Sequence, residues 1–198
     1  MIPTIAAEPT DRSRKAAILA AAGPVFVRYG YRKTSMDDVA KAADVSRQGL
    51  YVHFAKKEDL FREMIHQALS LHLREARAAL SDEARSIGQR LIAALGEWFG
   101  NKDKLGEDSD LIQASMQIAG EIIQDYHERL HTEIRGAIEK SELMAVYGAR
   151  GISAADITNT LMATSRGLSA TASSETFIAR VSVAIRILTA PCSAASDR

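Results

Sequence analysis

The sequence predicts an all-α chain, with a small N-terminal three-helix domain built on a helix-turn-helix and a larger C-terminal helical bundle. Three observations predict it. The four prolines stand at 3, 9, 24 and 191, which leaves everything from Val25 to Ala190 free of the residue that most readily breaks a helix. Apolar residues recur at intervals of three and four, and no segment alternates as a strand does. Between Thr34 and Phe54 two short helical patterns each follow a serine and are joined by a tight turn.

The elements follow in order. Met1 to Thr10 holds two prolines and reads as a mobile arm. The first helix carries Ile18, Ala21 and Phe26. Pro24 within it removes a backbone donor and crowds the carbonyl of Ala20, so a kink or restart is expected there. Ser35 caps a second helix, with Asp38 three residues on as in a capping box, and Met36, Val39, Ala40 and Ala43 give its apolar stripe. Asp44 takes the turn, and Ser46 caps the third helix. Lys57 to Leu80 repeats apolar residues from Leu60 through Phe61, Ile65 and Leu69 to Leu73. Ile87, Leu91, Leu95, Trp98 and Phe99 mark the next helix, and 100–110 is a charged turn. Leu111 to Tyr147 reads as one broken helix or two, and 148–151 as a loop. Ser153 with Asp156 caps a helix to about Ala172. Ser173 or Ser174 starts the last, which Pro191 should end. The expected division is an arm at 1–11, a helix-turn-helix domain at 12–72, a larger helical domain at 73–191, and a tail at 192–198.

Composition narrows the function. No apolar run is long enough to span a membrane, and the N-terminus lacks the charged start and apolar core of a secretory signal, so a cytoplasmic protein is expected. Cys192 is the only cysteine, which rules out an intramolecular disulfide. Residues 12–57 hold ten Lys or Arg against three acids, a net +7, whereas the whole chain sums to zero. A basic end on a neutral chain is the electrostatic footprint of a nucleic-acid binder.

The third helix carries the chemistry. At about 100° per residue, Leu50 and Phe54 define its buried side, and Gln48, Gly49 and Val52 lie opposite. Arg47 can bond guanine O6 and N7, Gln48 adenine N6 and N7, and Val52 a thymine methyl. Gly49 lets the backbone approach closely. Tyr51 and His53, on the shoulders, are placed for phosphates, which fix register without reading sequence. Thr34, Ser35, Ser46 and Lys57 sit at helix starts, where phosphates bind well.

These residues resemble a known family. From Ile18 to Leu60 the chain is similar to the N-terminal domain of TetR/AcrR-type (tetracycline-repressor-like) transcriptional regulators. The resemblance rests on Ile18, Ala21, Phe26, Gly30-Tyr31, Thr34-Ser35-Met36, Val39-Ala40, Ala43, Val45-Ser46, Leu50-Tyr51, His53-Phe54 and Lys57 to Leu60. It implies an all-helical homodimer that binds double-stranded DNA at an inverted repeat and releases it on binding a small molecule, with residues 73–191 as the effector-binding and dimerisation domain. Asp44 departs from the glycine usual at the turn, but Asp tolerates the left-handed conformation better than most residues.

The remainder is less specific. Trp98, Phe99, Met116, Tyr126, His127, Met144, Tyr147 and Met162 are candidates to line an effector cavity, since apolar pockets with few polar groups sit between helices of bundles. Leu161, Leu168, Val181 and Ile185 are candidates for the dimer interface, with core burial inside the subunit as the competing reading. His127-Glu128-Arg129-Leu130-His131 matches H-E-x-x-H, a zinc-peptidase signature. No third ligand motif follows, so a half-buried structural or pocket histidine is preferred, and a metal-responsive regulator or a peptidase stand as alternatives. No catalytic residue, cofactor or metal is assigned. The reading is a DNA-binding regulator, most readily a repressor released by a small organic effector.

Overall fold

The computed structural model describes residues 11–100 and 109–193. The proposed arm at 1–10, most of the charged turn (101–108) and the end of the tail (194–198) lie outside the described residues. Those residues form nine α-helices and one 3₁₀ turn, with no strand among them. The order is α1 (Asp11–Lys33), α2 (Met36–Ala42), α3 (Arg47–His53), α4 (Lys57–Leu80), α5 (Ile87–Phe99), α6 (Ser109–Glu139), α7 (Leu143–Tyr147), the 3₁₀ turn Gly148–Arg150, α8 (Ala154–Thr171) and α9 (Ser174–Ser193). No helix among the described residues is long and apolar enough to cross a membrane.

Two compact units result. The first contains residues 11–68 and 109–120, the second 69–100 and 121–193. The sequence places one boundary at 72/73. The first turns of α6 instead join the N-terminal unit, because Asp110 bonds Arg32 of α1 twice and the carbonyl of Ile118 accepts from Arg62 of α4. α6 is interrupted at Ala119 (φ −128°, ψ 17°), where the chain is about to pass to the second unit.

In the first unit the aromatic rings of Phe26, Tyr31 and Phe61 cluster, with Phe61 4.9 Å from Phe26 and 4.8 Å from Tyr31. Ile18, Ala22 and Phe26 on α1, Val39 and Ala40 on α2, Leu50 on α3 and Leu60 on α4 are buried. The interruption of α1 is not where proline predicts it. Pro24 and Ala20 both face solvent, so the carbonyl freed by Pro24 can bond water and the helix continues. The break is at Gly30, with φ 77° and ψ 167°, a region essentially restricted to glycine. Asp44 adopts φ 53°, the left-handed turn expected of it.

In the second unit one contiguous core is drawn from α4 to α9. It includes Leu73 and Leu80, Leu91 and Leu95, Leu130 and Ile134, Leu161, and Phe177, Val181 and Ile185. The capping boxes at Ser35/Asp38 and Ser153/Asp156 form as the sequence predicts, and Ser86/Gln89 adds a third. α9 runs to Ser193, past Pro191, because the carbonyl that Pro191 leaves unbonded belongs to Ile187, which faces solvent.

Replacing Gly30 by alanine forces a side chain into that restricted region. Gly30→Ala should lower stability by about 1–3 kcal/mol, read as a lower urea midpoint at unchanged slope; an unchanged midpoint contradicts the assignment.

Candidate nucleic-acid interface

α3 has only seven residues and cannot persist without tertiary support. Three contacts hold it. Ser46 Oγ accepts from the Gly49 amide at 2.9 Å, Leu50 is fully buried, and Phe54, just past its end, is nearly so. With that side fixed inward, Arg47, Gln48, Tyr51 and Val52 are left outward as one contiguous patch. Val52 is 81% exposed, an aliphatic side chain facing water on a helix whose opposite face is core. The Gln48 side chain makes no hydrogen bond among the described residues. At Gly49 a Cβ would lie 3.1 Å from Ser46 Oγ, so its bareness protects the cap as well as the approach to the helix.

Arg47, which spacing leaves free, is engaged. Its Nη1 donates to Asp37 Oδ2 of α2 at 3.1 Å, and its guanidinium lies 5.8 Å from the centre of the Tyr51 ring. Asp37 is absent from the sequence-derived set; an acid beside a reading helix gives no signal until α2 and α3 are folded against each other.

Several residues expected to meet phosphate have other work. Lys57 Nζ donates to the carbonyls of Tyr31 and Thr34, each at 2.9 Å, and stands 4.4 Å from the centre of the Tyr31 ring. Its ammonium therefore closes the carbonyls exposed by the break at Gly30 and is not a free phosphate ligand. Thr34 is buried, and its hydroxyl donates to the Gly30 carbonyl at 2.7 Å. The His53 side chain is only 8% exposed and faces Asp11 at 3.3 Å, so it is turned inward from the phosphate position predicted for it. Ser35 and Ser46 remain exposed while capping α2 and α3. Burial, with the Glu58 carboxylate second, pushes the Tyr31 hydroxyl up to about 12.

A cavity of about 210 Å³ lies in the first unit, lined by residues of α1, α4 and α6 that include Tyr31, Glu58 and Asp110. None of the effector candidates lines it. Met116, in this same unit, is 60% exposed, whereas the other candidates belong to the second unit. The second unit does bring Trp98, Phe99 and His127 together. The His127 ring is 5.3 Å from Trp98 and 6.1 Å from Phe99, which in turn lies 6.1 Å from Phe177. Tyr126 and Met162 are buried in the same core, with Met144 and Tyr147 against it. The Tyr147 hydroxyl is committed to the Leu188 carbonyl at 2.7 Å. His127 Nδ1 and Ser165 Oγ are buried with no hydrogen-bond partner among the described residues, and Ser165 carries no signal in sequence.

The two histidines of the H-E-x-x-H match have separate surroundings. His131 Nε2 bonds Asn159 Oδ1 at 2.8 Å, whereas His127 faces the rings. No group of three His, Cys, Asp or Glu is placed to hold a metal among the described residues.

The interface candidates need correction. Val181 and Ile185 are fully buried inside the single chain, Leu161 nearly so, and Leu168 is packed against the same core. Their apolar stripe is what holds α8 and α9 to the unit. The outward faces carry different residues: Ala163, Gly167 and Ala170 on α8, and Ala179, Val183 and Ile187 on α9, with Ile187 70% exposed.

Residues 18–64, which contain this whole helix-turn-helix, match the family described as bacterial regulatory proteins, tetR family. The helix-turn-helix of this chain is therefore of the tetR family. The chain is 40% identical over 75 residues to the uncharacterized HTH-type transcriptional regulator YfiR of Bacillus subtilis, covering 38% of this chain and 36% of that one. It is 30% identical over 137 residues to the HTH-type transcriptional regulator RutR of Escherichia coli, covering 67% and 61%. The matched stretches thus span from about a third to three fifths of those relatives' lengths. A TetR-like transcriptional regulator from Rhodococcus sp. shares the fold along the chain, with a TM-score of 0.61, 22% identity and coverage of 96% of this chain and 99% of that one.

Burial, and secondarily the Arg166 charge, holds the His127 imidazole below its usual range. The unfolded chain takes up that proton first, so stability should fall as pH drops from about 6.5 toward the lowered folded value. Urea denaturation between pH 7.5 and 5 should show that loss, and His127→Phe should remove part of it; an identical profile in the variant contradicts the burial.

Proposed function

We propose that this chain is a sequence-specific regulator of transcription that binds double-stranded DNA as a homodimer in the cytoplasm. The match of residues 18–64 to the tetR family supports the reading, and one observation carries it: a short helix pinned by Leu50 and Phe54 that turns Arg47, Gln48, Tyr51 and Val52 outward. Arg and Gln recognise purine edges in the major groove, and an exposed valine matches a thymine methyl. The tyrosine adds a hydroxyl for a backbone phosphate. The basic excess of residues 12–57 supplies attraction independent of sequence.

A two-fold dimer presents two such helices, which requires an inverted repeat. The outward faces of α8 and α9 suit the contact. Small residues on α8 allow close approach, and Val183 and Ile187 on α9 supply apolar area. Repression follows if the bound dimer covers a promoter, and no catalytic role is assigned to any residue.

A small organic effector in the second unit is the reading favoured for release. Trp98 and Phe99 offer aromatic surface, and the orphaned His127 Nδ1 and Ser165 Oγ are polar groups that a ligand can satisfy. Such a ligand acts only if it binds the low-affinity conformation of the dimer more tightly than the DNA-bound one.

Selection of genomic fragments by the purified protein at moderate salt should enrich an inverted repeat, and Arg47→Ala should weaken binding to it by about 1–3 kcal/mol. Recovery of no enriched sequence overturns the reading. For the dimer, the double change Val183→Arg with Ile187→Arg should give a folded chain that sediments as a monomer. A variant that still sediments as a dimer places the interface elsewhere.

A further inference from the structure

The three acids among residues 12–57 are Asp37, Asp38 and Asp44. Asp38 closes the capping box of α2, and Asp44 takes the left-handed turn. Asp37 has neither task. Its Oδ2 accepts from Arg47 Nη1 at 3.1 Å, while its Oδ1 is buried with no hydrogen-bond partner among the described residues. The side chains of the pair are 64% and 45% exposed for Arg47 and Asp37. An ion pair this exposed adds little to stability. A carboxylate on a face that meets phosphates also lowers attraction to DNA. As an acid in the first turn of α2 it also meets the positive end of that helix, a benefit that does not require its contact with Arg47.

Geometry accounts for that contact. The contact takes one N–H of a guanidinium that has five, so the other edge remains available for paired bonds to guanine O6 and N7. The Tyr51 ring stands 5.8 Å from the guanidinium, within cation–π range, and together the two contacts reduce the freedom the arginine must lose on docking. Without the Asp37 contact the charge of the arginine is open to backbone phosphates, whose attraction is independent of sequence.

We propose that Asp37 is a positioning residue that sets the sequence specificity of Arg47, holding its guanidinium for a base edge and offsetting its charge toward phosphate. The inference rests on the DNA-binding reading above. Its physical content is a coupling between two side chains on different helices.

The test uses the full-length dimer and the sequence enriched by the wild-type protein. Affinities for that duplex and for a scrambled one are measured across a salt series. The variants are Asp37→Asn, Arg47→Ala and the double change. Asp37→Asn should lower the ratio of specific to non-specific affinity by about tenfold, with non-specific binding rising about threefold. In the Arg47→Ala background the same change should leave the ratio within about twofold. Asp37→Glu, which keeps the carboxylate, should restore part of the ratio. Circular dichroism checks folding, and Asp37→Ser, compatible with a first helical turn, replaces Asp37→Asn if that variant unfolds.

A ratio unchanged in Asp37→Asn overturns the inference while leaving the DNA-binding reading intact. An equal fall with and without Arg47 also overturns it, since Asp37 would then read DNA by itself. A wild-type protein that enriches no sequence removes the DNA-binding reading and this inference with it.

Discussion

The burial of Leu50 and Phe54 is the constraint from which the interface follows. A seven-residue helix has too few internal hydrogen bonds to hold itself, so its orientation is whatever its buried residues dictate. Leu50 is fully enclosed and Phe54 nearly so, and together they fix the helix's rotation about its own axis. Arg47, Gln48, Tyr51 and Val52 point outward as a geometric consequence. A change that frees the anchors would cost the reading surface before it cost the rest of the chain. The serine cap and the bare Gly49 serve the same end by letting the first turn close without crowding.

A second constraint lies at the end of α1. The break at Gly30 turns the chain toward α2 and leaves carbonyls that no helix can satisfy. Thr34 and Lys57 satisfy them, with the lysine also resting on the Tyr31 ring. Two polar residues whose place at helix starts marks them for phosphate are thereby engaged in building the domain that presents the others. The chain's basic excess overstates its free positive surface for the same reason, since Arg47 and Lys57 both have partners inside the protein.

Much of the architecture was legible from local chemistry. Ser35 with Asp38, Ser46, and Ser153 with Asp156 announce helix starts because a side-chain oxygen and an orphan amide lie within a few residues of each other. Leu50 and Phe54 follow from helical spacing alone. What escaped depends on contacts distant in sequence. His53 meets Asp11, Lys57 reaches back to Tyr31, Asp37 meets Arg47, and Asp110 ties the start of α6 to α1. Spacing also shows that α8 and α9 have an apolar face without saying what that face touches. Val181 and Ile185 belong to the core, and the outward stripe of Val183 and Ile187 is offset by two residues. Pro24 misled because its effect depends on whether the freed carbonyl meets water, which a sequence does not state.

The central claim is that the outward face of α3 is what DNA covers. Alkylation of a single thiol there tests it most directly. Val52→Cys is made in a Cys192→Ser background, and its labelling rate is followed with and without a saturating duplex of the enriched sequence. The account predicts a rate at least about tenfold slower in the complex, as burial of an accessible thiol requires. Labelling at an unchanged rate while the duplex is bound would contradict it, placing the DNA on some other surface of the protein.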